Sequence, residues 1–311
     1  PSASPDGPSV RPSVRLQPSA TLFDIAVRGR TVTKGRTTAW VARDLNANDF
    51  TLFGNVRGRA QSPIRVPVFN PPLFLGALLA ERLADDPASL PSTRLPEHDE
   101  QFGGAETIAI VTTPLADVVH RCNKVSQNLY ADALLKLVGH IVSGEPGSFA
   151  TGAASIRMIV ADRIGADDAR QSIIADGSGL SRDNRLTARL LVRWLASFAE
   201  DDTLGPVLHA SLPSPGEGTL RSWFTDRPLR CELHAKTGYL RGVRALSGYL
   251  VHEPSGRRLA FSIIVNNVPA RGGSAEAKLV VQRIVRALDA HLAAPPDRVE
   301  QPAPANAELG G

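Results

Sequence analysis

The stretch HAKTGYLRGVRALSGYL, residues 234–250, contains two β-like runs joined by a short link that contains glycine. Together with the flanking residues it predicts three strands, over 229–237, 243–252 and 257–266. The links between them are four or five residues long, as in antiparallel hairpins. The sequence therefore predicts an antiparallel meander whose first strand ends at the tripeptide Lys-Thr-Gly.

Helical patterns surround this meander. Apolar residues at helical spacing predict helices that follow Asn128 and that cover 155–164, 186–198 and 278–292. Asn184 is the predicted N-cap of the helix over 186–198, and Thr113 is the predicted N-cap of a helix that begins at Pro114. Helices beside an antiparallel sheet indicate an α/β (α+β) domain.

The first hundred residues have a different character. Short β-like runs over 22–27, 37–41, 50–53 and 64–69 predict a small β-rich unit, and an amphipathic helix is predicted over 71–85. Residues 107–112 form a further strand-like run before the first helix of the larger domain. Composition predicts a disordered lead-in over 1–20 and a disordered tail over 296–311.

Composition limits the function classes. The 311 residues include 35 Lys and Arg against 31 Asp and Glu, and no five basic residues are consecutive, so nucleic acid is not a predicted partner. No apolar run approaches the ~18 residues that span a membrane, so no integral membrane segment is predicted. The two cysteines, Cys122 and Cys231, allow one bridge, but two separate thiols are favoured. Nothing in the sequence indicates an oligomeric state.

Three segments carry candidate chemistry: Ser126-Gln127-Asn128, the hexapeptide DGSGLS at 176–181, and Lys236-Thr237-Gly238. Each has a simple structural explanation when it is considered alone. Ser126 or Asn128 could cap the following helix, the hexapeptide could be a turn, and Lys236 could be an exposed lysine before a turn. Their order along the chain favours a shared site, because serine enzymes that recognise penicillin carry S-x-x-K, S-x-N and K-T-G in that order.

The surrounding sequence extends the match. The stretches VSQNLYADALLKLVG, DGSGLSRDNRLTA and AKTGYLRGVRALSGYL resemble the penicillin-binding D-alanyl-D-alanine carboxypeptidases/endopeptidases of the Dac type, peptidase family S13. VPVFNPPLFLGALLAERL and TTPLADVVHRCNK are similar to that family as well, so the resemblance covers about residues 64–293. It implies a penicillin-binding-protein/β-lactamase-like transpeptidase domain, with 106–295 as its C-terminal part and 21–105 as the remnant of a β-rich inserted domain.

The resemblance also implies an activity. Members of this family attack the penultimate carbonyl of peptidoglycan stem peptides that end in D-Ala-D-Ala, and they form an acyl-enzyme without a metal or other cofactor. β-Lactams are ligands of the same site, and the location is periplasmic or otherwise extracytoplasmic. Carboxypeptidase and endopeptidase preferences stay open.

Roles can then be assigned residue by residue. The resemblance implies that Ser126 relays a proton, that Asn128 binds the substrate amide, and that Lys236 with Thr237 binds the terminal carboxylate. Gly238 would let the substrate backbone approach, and the Tyr239 N–H would serve the oxyanion hole. One substrate must touch both motifs, so Ser126 and Lys236 should face one cleft. The strand that carries Lys236 should be a free sheet edge that pairs with the peptide.

The sequence departs from the family in one respect. No serine is followed three positions later by lysine; the nearest patterns are Thr31 with Lys34 and Ser274 with Lys278. We expect an N-terminally truncated chain that has lost the nucleophile and is inactive alone, because such a loss costs on the order of 10⁶ in kcat. The alternative is a non-catalytic peptidoglycan-binding homologue, and the upstream coding sequence would discriminate between the two.

Other hydrolase classes fit poorly. The sequence around Ser178 is not G-x-S-x-G, and His252-Glu253 is followed by Gly256 where a zincin needs histidine. His234 should share a strand face with Lys236, and an exposed edge histidine is favoured over a cleft residue.

Overall fold

The structure is a computed structural model. It describes residues 2, 10–18, 23, 25–60, 63–84, 93–97, 100, 101, 103, 104, 106, 109–199 and 201–295. The chain divides into two compact units, Pro1–Ile108 and Ala109–Gly311. The predicted tail over 296–311 lies outside the described residues, as do residues 1, 3–9, 19 and 20 of the predicted lead-in.

The described residues of the first unit form short strands and one α-helix. Its elements are β1 (Ile25–Val27), β2 (Arg30–Thr31), β3 (Trp40–Arg43), β4 (Phe50–Phe53), β5 (Asn55–Val56) and α1 (Pro71–Leu83). β4 lies between β1, which is parallel to it, and β3, which is antiparallel. Phe50, Leu52 and Val56 are buried, and the Phe50 ring contacts that of Phe23.

Two details of this unit differ from the sequence-based prediction. No strand forms over 64–69, because Pro63 and Pro67 lack the N–H that a ladder needs. Before β1, Ser2 and Ser13 exchange two backbone hydrogen bonds of 2.9 Å, and the Thr31 N–H donates to the Val10 carbonyl. These bonds attach the described part of residues 1–20 to the β-rich unit.

The second unit contains seven helices and a sheet within its described residues. The helices are α2 (Leu115–Val125), α3 (Asn128–Ser143), α4 (Phe149–Ile164), α5 (Ala166–Arg170), α6 (Ala188–Ala196), α7 (Leu204–Ser211) and α8 (Gly273–Ala293). Each helix that the sequence predicts here is present. Two predicted caps are wrong: α6 is capped by the Thr187 side chain instead of Asn184, and Pro114 stands at the N-cap of α2 instead of Thr113. Residues 109–112 of the predicted run 107–112 form no strand.

The predicted meander is confirmed as the antiparallel sheet β6-β7-β8. Its strands are β6 (Glu232–Leu240), β7 (Val243–His252) and β8 (Arg257–Val265). β6 begins later than predicted and continues through Lys-Thr-Gly, because Thr237, Gly238 and Tyr239 stay paired with β7. The tripeptide therefore lies within the strand instead of ending it, and the connection shrinks to Arg241 and Gly242.

Helix α8 covers one face of this sheet. Val281 and Val285 of α8 are fully buried against apolar side chains of all three strands, including Leu233, Leu246 and Phe261. Burial of such side chains contributes about 1.5–3 kcal/mol each. The packed face fixes β6, and with it Lys236, on a rigid support.

Candidate active site

Ser126 lies at the junction of two helices in an uncommon backbone conformation. It ends α2 with φ 57° and ψ 58°, and its N–H donates to the Cys122 carbonyl. A left-handed conformation at a residue other than glycine is strained and clusters at functional sites. The simple alternative, in which Ser126 or Asn128 caps α3, does not hold, since Gln127 occupies the N-cap and Asn128 is the first residue of that helix. The turn leaves the Ser126 hydroxyl free to face another element.

That element is β6. The Lys236 ammonium donates to the Ser126 hydroxyl across 2.9 Å and to the Thr237 carbonyl across 2.9 Å. Burial lowers the pKa of Lys236, and the neighbouring Cys122 opposes this shift. No carboxylate of the described residues forms an ion pair with this ammonium. The site therefore holds a partly desolvated cation that an incoming anion can pair with.

Among the described residues, no strand pairs with the outer side of β6. In the sheet order β6-β7-β8, β6 is an edge, as predicted. Its Ala235 N–H nevertheless donates to the Pro213 carbonyl across 3.0 Å, so one position of the edge is occupied. Backbone groups of an antiparallel strand alternate in direction, so Thr237 and Tyr239 present theirs on the same side as Ala235.

Helix α2 is held beside this edge by polar contacts. Lys124 forms an ion pair of 2.6 Å with Glu217, and the Asn123 side-chain amide donates to the Ser211 hydroxyl across 2.8 Å. The hydrogen bond from Lys124 lowers the pKa of Glu217. The segment between Ser211 and Glu217 also supplies the carbonyl that bonds to Ala235, so it links the element that carries Ser126 to the strand that carries Lys236.

One carboxylate fastens the DGSG loop to α3, and a second, within the loop, organises the loop itself. Asp132 of α3 accepts hydrogen bonds of 2.9 Å from the N–H groups of Gly177 and Ser178. Asp176 accepts from the N–H groups of Gly179 and Ser181. A methyl group on Gly177 would lie 2.2 Å from the Ala131 carbonyl oxygen, so only glycine fits at this contact.

Asp176 also receives a bond of 2.8 Å from the side-chain amide of Asn184, the residue that was predicted to cap α6. Burial raises the pKa of Asp176, but the hydrogen bonds, led by that from Asn184, outweigh it and the pKa is lowered. The loop is thus organised around an ionised carboxylate. Sequence reasoning missed Asp132, because its bonds reach 45 and 46 residues along the chain.

These elements enclose a cleft of about 890 Å³. All six residues that the sequence singled out line it: Ser126, Asn128, Lys236, Thr237, Gly238 and Tyr239. The DGSG loop forms part of the same wall. The expected convergence of the Ser126 hydroxyl and the Lys236 ammonium on one cleft is confirmed.

Three further side chains near this cleft were not predicted. Arg182 and Arg185 line it, and the Arg182 guanidinium donates to the Arg241 carbonyl across 2.9 Å. The Arg244 guanidinium lies 3.5 Å from the centroid of the Tyr239 ring and bonds to the Ser274 hydroxyl. The signal in the sequence was the density of arginine over 182–189 and 241–244, which is also typical of a solvated surface.

His234 is neither an exposed edge residue nor a cleft residue. Its ring contacts that of His209 in a tilted arrangement with centroids 3.9 Å apart, and its Nδ1 lies 3.3 Å from the Ser214 hydroxyl. Burial, and then the neighbouring His234, lower the pKa of His209. The pair packs behind the segment that covers Ala235.

The two cysteines are separate free thiols, as favoured from the sequence. Cys122 lines the cleft, whereas burial and a contact with Asp289 raise the pKa of the buried Cys231 to about 11. Over the described ranges, no group of His, Cys, Asp and Glu side chains could hold a metal ion. Within the same ranges, no helix has the length and apolar character needed to cross a bilayer.

Comparison with known proteins identifies the fold and the family of the chain. A solved structure of penicillin binding protein 4 from Haemophilus influenzae, in complex with a β-lactam, superposes with a TM-score of 0.61 and 23% identity. The match covers 86% of this chain and 64% of that one. It shows that the fold is that of a penicillin-binding protein, in agreement with the mixed α/β class expected.

Curated relatives are more similar in sequence. Carboxypeptidase DacB of Mycolicibacterium smegmatis is 32% identical over 212 residues, which are 66% of this chain and 44% of the relative. A D-alanyl-D-alanine carboxypeptidase of Actinomadura is 33% identical over 261 residues, which are 79% of this chain and 45% of the relative. The chain thus spans less than half the length of these relatives. The model of the D-Ala-D-Ala carboxypeptidase 3 (S13) family matches residues 3–289, and the chain belongs to that family.

Proposed function

We propose that this chain is part of a serine-type D-Ala-D-Ala carboxypeptidase/endopeptidase that cleaves peptidoglycan stem peptides through an acyl-enzyme. Lys236 and Thr237 would bind the substrate carboxylate, and the Ser126 hydroxyl would relay a proton. The contact of 2.9 Å between the Lys236 ammonium and the Ser126 hydroxyl carries the proposal. A relay needs a hydroxyl within hydrogen-bond reach of a titratable group, and this pair provides it. The setting would be extracytoplasmic, as in the family.

The substrate would lie along the free part of β6. Its terminal carboxylate would pair with the Lys236 ammonium and accept a bond from the Thr237 hydroxyl. The Asn128 amide would hold the substrate amide, and the Tyr239 N–H would donate to the oxyanion that develops on the attacked carbonyl. Gly238 would let the peptide backbone approach, and β-lactams would use the same groups because they carry an equivalent carboxylate.

Acyl transfer also requires a nucleophilic serine and its base. No serine of the 311 residues has a lysine three positions later. We therefore propose acyl transfer only for a protein in which an S-x-x-K segment accompanies the cleft. The chain on its own is proposed to bind carboxylate ligands without cleaving them.

Labelling with a fluorescent penicillin tests this function. The 311-residue chain should form no stable adduct, whereas a protein that also contains an S-x-x-K segment, encoded upstream in the same reading frame, should be labelled. In that longer protein, Lys236→Ala should slow labelling about 10- to 150-fold, which corresponds to the loss of one charged hydrogen bond of roughly 1.5–3 kcal/mol. The matched control Lys34→Ala removes an exposed lysine outside the cleft and should leave the rate unchanged.

Two results would contradict the proposal. Adduct formation by the 311-residue chain would mean that another serine is the nucleophile, and peptide mapping would identify it. A longer reading frame without S-x-x-K, combined with binding but no cleavage of a D-Ala-D-Ala peptide, would favour the peptidoglycan-binding homologue.

A further inference from the structure

The β-rich unit concentrates positive charge at one end. Residues 25–65 contain eight Lys and Arg and two Asp and Glu, a net charge of +6, whereas the whole chain carries +4. Both acidic residues, Asp44 and Asp49, lie in the connection from β3 to β4. Strands β3 and β4 are paired from Arg43 and Phe50 at one end to Trp40 and Phe53 at the other. The acidic connection lies at the first of these ends.

Basic residues lie together at this second end, because Arg30 pairs with Asn55 of β5 and the Arg57 guanidinium contacts Gly35, which Lys34 and Arg36 flank. The Thr37 hydroxyl accepts from the Arg57 N–H at 3.0 Å, and the Arg57 guanidinium donates to the Gly35 carbonyl at 3.3 Å. A methyl group on Gly54 would lie 2.4 Å from the Thr38 carbonyl oxygen. The segment before β3 therefore packs tightly against the link between β4 and β5. We name the resulting set the basic end: Arg30, Lys34, Arg36, Arg57 and Arg59.

All five side chains of the basic end are exposed. None forms an ion pair with another described residue of the unit. Like charges that lie close together repel one another, so this surface favours an anionic partner. Arg43, in contrast, is engaged with backbone carbonyls at the acidic end.

An exposed aromatic pair adjoins the basic end. The Trp40 ring stacks on that of Phe53 with centroids 4.7 Å apart and an interplanar angle of 18°. Trp40 is 53% exposed although it is the largest apolar side chain of the unit. Phe53 covers one face of the indole ring and holds it in place, which leaves the other face for a flat apolar ligand surface. Large exposed apolar groups beside polar ones mark interaction sites.

We propose that the basic end and Trp40 bind an anionic glycan, a polymer of sugar or polyol units joined by phosphate. Arginine forks pair with phosphate oxygens in two-point contacts, and several contacts along one polymer act together. The apolar face of a sugar ring would stack on the free face of Trp40. This binding site is separate from the proposed cleavage reaction. The inference rests on the proposed function only for the extracytoplasmic setting, which favours a glycan over a nucleic acid as the ligand.

Binding of the 311-residue chain to a poly(ribitol phosphate) that carries N-acetylglucosamine tests the proposal. We expect saturable binding that weakens as salt rises, and no binding to neutral dextran. The triple variant Lys34→Glu, Arg36→Glu, Arg59→Glu removes no side-chain hydrogen bond of the described residues, and it should weaken binding by roughly tenfold or more. Trp40→Ala should weaken binding while the salt dependence stays the same.

A matched control keeps the result specific. Arg189→Glu, Arg271→Glu, Arg283→Glu changes net charge equally at exposed arginines of the second unit, and it should alter affinity less than about twofold. An equal loss in this control, or no binding by the wild-type chain, would overturn the proposal. Tighter binding to oligothymidylate of equal charge would also overturn it, in favour of nucleic acid. Penicillin labelling of the longer protein is measured separately, so failure of either proposal can be recognised.

Discussion

The Lys236 ammonium lies 2.9 Å from the Ser126 hydroxyl, although 110 residues separate the two in sequence. Lys236 lies on β6, the edge strand of the sheet, and Ser126 lies in a strained turn between two helices. The contact therefore depends on the packing of α2 beside β6, the two elements that form this part of the cleft.

Replacing Lys236 by an apolar residue should stabilise the fold and abolish binding of carboxylate ligands. Burial lowers the pKa of Lys236, so the desolvation cost of its charge exceeds what its two hydrogen bonds return. Lys236→Met should raise the free energy of unfolding at pH 7 by about 0.5–2 kcal/mol, the usual range for stabilising changes. Urea denaturation measures this, with Arg283→Met on the exposed side of α8 as the control.

The pH dependence of that difference has a defined sign. A lysine whose folded pKa lies below its unfolded value of about 10.4 binds its proton more tightly in the unfolded chain. The cost is fully present below the folded pKa and disappears as the pH rises towards the unfolded value. The advantage of Lys236→Met should therefore shrink between pH 7 and pH 10. A variant less stable than the wild type at pH 7 would contradict the argument.

Asp132 should be required for the DGSG loop. Asp132→Ala leaves the N–H groups of Gly177 and Ser178 without their acceptor, and the loss should be about 1.5–3 kcal/mol. Asp132→Asn keeps one acceptor oxygen and should lose less. Asp162→Ala, at an exposed carboxylate on α4, is the control. Thermal or urea unfolding within about 0.5 kcal/mol of wild type for Asp132→Ala would show that the loop is held by other contacts.

Acid should weaken the same loop through Asp176. Its pKa is lowered, since bonds from Asn184, Ser181 and Gly179 outweigh the opposite effect of burial. A carboxylate of this kind contributes stability that is complete above the unfolded pKa of about 3.9 and is lost as pH falls through the folded value. Unfolding midpoints measured from about pH 5 to about pH 2 should fall less steeply for Asp176→Asn than for wild type.

Asp183→Asn provides the matched comparison for that series, because this neighbouring carboxylate is exposed and its side chain accepts no hydrogen bond from the described residues. Its profile should follow the wild type. Parallel curves for wild type and Asp176→Asn would mean that Asp176 is not the group that titrates.

Gly177 should tolerate no side chain. Its Cβ would come within 2.2 Å of the Ala131 carbonyl oxygen, an atom of the α3 backbone that cannot rotate away. Gly177→Ala should cost about 1–3 kcal/mol as an overpacked contact, and it should weaken β-lactam labelling of the longer protein. Gly103→Ala meets no atom within 4 Å and should be nearly neutral. Equal effects of the two changes in urea denaturation would refute the steric explanation.

The sequence predicted the helices and the meander because their apolar residues repeat with clear periods over ten or more residues. It misplaced the end of β6, since Gly238 resembles a strand terminator although its pairing with Ala245 continues the ladder. It assigned the cap of α6 to Asn184, three residues before Thr187, because both residue types are good caps. Local pattern alone cannot decide between two such neighbours.

The candidate site was predicted in part for the same reason. Ser126, Asn128 and Lys236 belong to short motifs whose order is informative, and they do line one cleft. Asp132 and Pro213 belong to no motif. Their contribution is made by contacts with residues far along the chain, and such contacts leave no local signal.

The bond from the Ala235 N–H to the Pro213 carbonyl limits how much of β6 a ligand can use. A peptide that adds to this edge can exchange backbone bonds with Thr237 and Tyr239, but it meets the Pro213 segment at the next outward-facing position. At about 3.3 Å per residue, the open edge matches roughly three residues of an extended chain. The open edge therefore has room for the last few residues of a peptide. A longer extended peptide could pair with more of β6 only after it displaced the 211–217 segment.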